Sequence, residues 1–238
     1  MKRLLLAIVF LCFFISVAHA GPTATSGTSA STIITNARYR LNAVSQSGVT
    51  DSYYSDAETL QWLNDGQIYI AERTHCLQDT ETVYLTANTI ETNFGSGTTL
   101  VRVWFVRYVD EDGDETPLAK GSLWGRTKDN SGQENPTHWY ESNGGLGVYP
   151  PLAAISGTTP EYVQALFSYK PDTVSSTTSL VSLPFLLDES LTDYIVCAGL
   201  KKAEKIQLYA TYRSTMEARL DFIANAYYFP AFVEGGPK

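Results

Sequence analysis

The 238-residue chain is poor in the residues from which sites are usually built. It has three cysteines, three histidines and two methionines. If the first twenty residues are removed, only His75 and His138 remain, and neither belongs to an H-x-x-x-H or H-E-x-x-H pattern. A zinc site therefore has little to stand on. Nucleophile-elbow, phosphate-loop and dinucleotide-binding glycine patterns are also missing, and no pair of carboxylates can be placed across a cleft. Basic residues are outnumbered, 17 against 25 acidic, for a net charge of −8. That balance argues against a protein that coats nucleic acid, but it is compatible with an acidic channel through which DNA slides. Cofactor and metal are both expected to be none.

Long apolar runs are confined to the start. Lys2 and Arg3 precede an apolar run from Leu4 to Val17, and Ala18-His19-Ala20 supplies small residues where a signal peptidase cuts. Residues 1–20 read as a signal peptide, too short for a membrane span, and imply export to the periplasm or beyond the cell. Its removal takes the net charge to −10, since Lys2 and Arg3 go with it. Cys76 and Cys197 then remain. They are either a disulfide pair, which export permits, or two buried free thiols, which the lack of any further cysteine framework favours.

What is present points to helices, then strands, then helices. Residues 21–31 form a Gly/Ser/Thr/Ala-rich flexible leader. The N-terminal helices occupy 32–78, a β-rich insertion 79–172, a loop 173–187, the C-terminal helices 188–228 and a tail 229–238. The fold class is α+β and mainly helical, a small helical bundle with a β-rich antiparallel insertion between the second helix and the C-terminal helices. Within the insertion, 82–85, 100–109, 116–118 and 162–169 read as strands. Two more flank Asn143-Gly144-Gly145. Val101, Val103 and Phe105 share one face of the long strand, and Val163, Ala165, Phe167 and Tyr169 face inward on the last. Helical period returns over Asp188–Leu208, and a last helix carries Tyr209, Tyr212, Met216, Leu220, Ile223 and Tyr227 on one stripe.

The most informative segment is Ser55–Thr74. Ser55 and Glu58 form an S-x-x-E capping box, with Asp56 adding a second acid in the first turn. At 100° per residue, Leu60, Leu63, Asn64, Gln67 and Ala71 make a core stripe, bordered by Ile68 and Ile70. The two amides require backbone partners, which a neighbouring loop would supply. On the other side lie Trp62, Gly66, Tyr69 and Arg73, a second face and a candidate subunit interface.

Asp110, Asp112 and Asp114 alternate as in a calcium loop. Glu115 and Gly121 occupy the positions where glycine and glutamate are needed, so a hairpin turn around Asp112-Gly113 is expected instead. Lys201, Lys202 and Lys205 with Arg213 form the one basic cluster. It is either a solvated helix face or a contact to an acidic neighbouring subunit.

Ser55–Glu72 resembles a phrase of the head-to-tail adaptor (connector) proteins of tailed bacteriophages. So do Val101–Val106, Asn135–Tyr140, Gly147–Pro151, and Leu183-Pro184 followed by two helices; the resemblance runs from about Ile33 to Tyr228. It implies a non-enzymatic virion protein that sits beneath the portal in a ring, usually of twelve copies. Its partners would be itself, the portal and tail proteins, and DNA passing through the lumen without specific binding. The signal peptide departs from that pattern, because virion connectors need no export. The alternative is an exported binding protein that recognises a carbohydrate or protein partner through Trp104, Trp124, Trp139 and Tyr140.

Overall fold

The computed structural model describes residues 27–41, 53–85, 91–93, 100–121, 135–142, 145–151 and 161–228. The expected signal peptide at 1–20, Trp124, Asn143-Gly144 and the expected tail at 229–238 lie outside them.

Helix α1 spans Ala30–Arg40 and α2 spans Asp56–Thr74. Ser29 caps α1, so this helix begins inside the expected leader, and a backbone bridge from Ser29 to Leu180 ties its start to the 173–187 loop. Ser55 caps α2 by accepting the Glu58 N–H at 3.2 Å. The reciprocal half of the capping box is replaced. Glu58 instead takes Lys202 at 2.6 Å, a full charge pair in place of a neutral amide. Arg38 fastens the two helices, donating to the Tyr54 carbonyl at 3.0 Å and to Asp56 at 2.6 Å. α2 ends where His75 turns left-handed, at φ 52°, and returns its N–H to Ala71.

A 3₁₀ turn, Phe185–Leu187, leads into α3, Asp188–Lys202. Helix α4, Ile206–Ile223, ends in a π turn, Ala224–Tyr228. The expected continuation of α3 to Leu208 is broken at Ala203–Lys205, where Glu204 adopts φ 57°. Neither glycine nor proline marks that break. α3 is the central helix: Leu191, Ile195, Val196 and Leu200 are buried against α1, α2 and α4. Each such side chain contributes about 1.5–3 kcal/mol on burial.

The insertion is a sandwich of two four-stranded sheets. One has the order β1 (Gln78–Tyr84), β8 (Tyr162–Tyr169), β3 (Leu100–Val109), β4 (Glu115–Pro117) and is antiparallel throughout. The other has the order β2 (Glu91–Asn93), β7 (Gly145–Tyr149), β6 (His138–Ser142), β5 (Ala119–Lys120). The chain crosses between sheets at buried Leu118, whose N–H still bonds Val106 in the first sheet. It enters the second parallel to β6, the one departure from antiparallel pairing among the described strands.

The face of β3 also differs from simple alternation. Its pairing with β8 slips once between Leu100 and Arg102 and again between Val103 and Phe105. Each slip inserts one residue and inverts the side-chain parity beyond it. Val103, Val106 and Tyr108 therefore face the core, and Phe105 is 41% exposed. On β8, Val163, Ala165 and Phe167 are buried opposite them. The bundle and sandwich cores form separate clusters that share Tyr169 at their margin.

Candidate functional site

The two amides of α2 act as clamps on the loop that precedes α3. Asn64 Nδ2 donates to the Val174 carbonyl at 3.0 Å, and Asn64 Oδ1 accepts the Val174 N–H at 2.8 Å. Gln67 is fully buried, and its carbonyl accepts the Ser182 N–H at 3.1 Å. A loop with little apolar content is thereby fixed by its own backbone.

The second face of α2 turns inward onto α3 and α4 of the same chain. Gly66 marks the closest approach of α2 to α3; a Cβ there would lie 2.8 Å from Leu191 and from Tyr194. Tyr69 packs on Tyr194 with ring centroids 5.5 Å apart and donates a short hydrogen bond to Glu217. Arg213 donates to the Tyr69 hydroxyl at 2.7 Å and pairs with Glu217 at 2.6 Å. Burial and the bond to Glu217 push the Tyr69 phenol up to about 12. Arg73 pairs with Asp221 at 2.6 Å. Gly66 and the Tyr69 ring are thus packed within the bundle. Trp62 is half-buried against Tyr54 and opens onto a cleft.

That cleft, about 550 Å³, is the candidate site. Trp62, Tyr194 and Tyr209 line it together with Lys201, Lys202 and Arg213. The basic cluster and the aromatic face, separate in sequence, meet here because the break at 203–205 folds the start of α4 back beside the end of α3. Lys202 is held by the Glu58 carboxylate and the Tyr53 carbonyl, both at 2.6 Å, and lies 4.7 Å over the Tyr53 ring. Lys201 is exposed, with no ion pair among the described residues. Cations beside π faces suit anionic or aromatic groups of a partner.

The arrangement does not supply a nucleophile. Cys197 also lines the cleft, and burial followed by the Asp193 charge pushes its thiol up to about 11. Cys76 is buried in the bundle core, and burial pushes its thiol up to about 12. Both are free thiols, protonated and unreactive at neutral pH. His75 stacks edge-on to Trp104 at 4.7 Å and lies 3.1 Å from the Ser168 hydroxyl. Burial, then Arg102, holds its imidazole below the ordinary histidine range. A second polar cluster joins three helices: Asp193, nearly buried, receives Arg40 at 2.6 Å and Arg219 at 2.7 Å.

Among the described residues no group of three or more His, Cys, Asp or Glu side chains is placed to hold a metal, and no helix is long and apolar enough to cross a membrane. The Asp110–Glu115 segment is a hairpin turn. Asp110 Oδ1 accepts the N–H groups of Asp112 at 3.0 Å and Asp114 at 2.8 Å, with Gly113 at φ 85°. Of the aromatics named for the alternative binding reading, Trp139 and Tyr140 are 3% exposed, Trp104 is half-buried, and Trp124 lies outside the described residues.

The described residues form a helical bundle fastened by ion pairs, carrying a β-sandwich and a cleft lined by aromatic and cationic side chains. The SU10 adaptor protein family model matches residues 28–229, spanning both bundle and sandwich. The chain belongs to that family of head-to-tail adaptors of tailed phages and has the structural role of an adaptor. Among solved structures it is similar to a chain of the "Neck of empty GTA particle computed with C6 symmetry", at 18% identity, covering 73% of this chain and 81% of that one with a TM-score of 0.27. A chain of the "Neck of native GTA particle computed with C12 symmetry" is similar at 18% identity, 75% and 82% coverage and a TM-score of 0.26. Among curated proteins nothing matches. The family match carries the assignment.

Proposed function

We propose that this chain joins the portal to the tail by assembling into a ring, twelve-membered by family resemblance, through which DNA passes without being gripped. It acts by contact and not by catalysis. The observation that carries this reading is the family match over residues 28–229, which takes in every described element. The charge of −8 supports it, since an acidic lumen does not hold DNA. A ring of identical copies requires a heterologous contact, in which one surface docks on a different surface of the next copy. The test is to mix the full chain with its cognate portal ring and weigh the complexes by mass photometry. A complex heavier than the portal by one fixed number of copies is expected. A chain that stays monomeric and unbound would remove the reading.

A further inference from the structure

The cleft and the β3–β4 turn are complementary. α2 runs from the cleft at Trp62 to the junction at His75, roughly 20 Å at 1.5 Å per residue. β3 starts beside that junction, where Leu100 pairs with Tyr169, and runs about 30 Å to Val109. The cleft thus sits at the end of α2 remote from the junction, and the turn at the end of the sheet remote from it.

The turn is a fixed presentation of negative charge. Asp110, Glu111, Asp112, Asp114 and Glu115 lie within six residues. The Asp110 carboxylate locks the backbone, and Glu111, Asp112 and Asp114 are exposed at the tip. The cleft offers the opposite: exposed Lys201, with Lys202 and Arg213 set over or beside aromatic rings. Half-dehydrated cations of this kind interact more strongly with an incoming carboxylate than cations in open water do. A volume of about 550 Å³ accepts a hairpin tip. Lys202 and Arg213 are already paired with Glu58 and Glu217, so Lys201 is the lining cation with no ion pair among the described residues.

We propose that the cleft receives the β3–β4 turn of a second copy of this chain, with Lys201, Lys202 and Arg213 meeting Glu111, Asp112 and Asp114. This rests on the ring reading above and names its contact. Donor and acceptor surfaces differ, so the contact is heterologous and propagates from copy to copy.

The test compares four full-length chains by sedimentation velocity over a concentration series. They are the wild type, Lys201→Glu, Asp112→Lys, and the chain carrying both changes. Thermal melts confirm that each folds. Each reversal alone is expected to raise the concentration of half-assembly by about tenfold in 0.1 M salt, given ion pairs of up to about 1 kcal/mol each. High salt should weaken the wild-type assembly. The combined charge swap should return to within about threefold of wild type. A wild-type assembly indifferent to both reversals, or singles that weaken it without rescue in the swap, overturns the contact and leaves the ring reading standing. A wild type that is monomeric throughout counts against the ring reading and takes this contact with it.

Discussion

Asn64→Ala is the sharpest probe of how this fold is held. Asn64 forms a two-point clamp on Val174, accepting its N–H at 2.8 Å and donating to its carbonyl at 3.0 Å. Val174 is 4% exposed, so water does not readily replace either bond. Truncation leaves a buried donor and acceptor unpaired, each costing about 1 kcal/mol or somewhat more, for a total of roughly 2–3 kcal/mol. In a domain of this size that lowers the Tm by about 4–12 °C. Asn64→Asp keeps the acceptor but sets a carboxylate against the Val174 carbonyl, and should fall below Asn64→Ala at pH 7. The assay is a denaturant melt with amide hydrogen exchange on the 173–182 loop. Faster exchange at Val174 should precede global unfolding. A loss under 0.5 kcal/mol with unchanged exchange at Val174 would refute the clamp.

Other outcomes follow from the same packing. Gly66→Ala sets a methyl 2.8 Å from Leu191 and Tyr194; overpacking of about 1–3 kcal/mol should exceed the helix-propensity gain of about 1 kcal/mol, read as a lowered melt midpoint. Asp193→Ala removes one partner from each of Arg40 and Arg219 but leaves Arg40 paired with Glu189, and should cost about 1–2 kcal/mol in chemical denaturation. Cys76 and Cys197 should resist a thiol reagent in the native protein and both react in denaturant, with no mass change on reduction beforehand. Burial raises the folded pKa of the Cys76 thiol from 9.0 to about 12 and of the Tyr69 phenol from 10.0 to about 12. Raised values stabilise the protonated fold, so this contribution is full below pH 9 and is lost as pH climbs to about 12, visible as a falling melt midpoint.

The elements were legible where local chemistry and tertiary environment agree. The Ser55 cap, the β3 and β8 spans and the need of Asn64 and Gln67 for loop partners could be read from residue type and period alone. The core face of β3 could not. Two inserted residues each invert its parity, so the core face switches at Val103 and back again by Val106, and no glycine or proline marks them. The break at Ala203–Lys205 was hidden for the same reason, with Glu204 taking a conformation usually left to glycine. That break matters for the site, because it brings Arg213 and Tyr209 beside Lys201 and Trp62. The basic cluster and Trp62 were each visible in the sequence; their meeting in one cleft was not. The destination of Tyr69 was also out of reach. An aromatic at helical spacing looks the same whether a second subunit or a later helix of the same chain covers it.

The central claim is that copies of this chain assemble head to tail into a closed ring that docks on a portal. Mass photometry of the full chain mixed with the portal ring tests it most directly. One discrete mass, corresponding to a single copy number bound per portal, is the expected result. Free monomer beside an unchanged portal would contradict it.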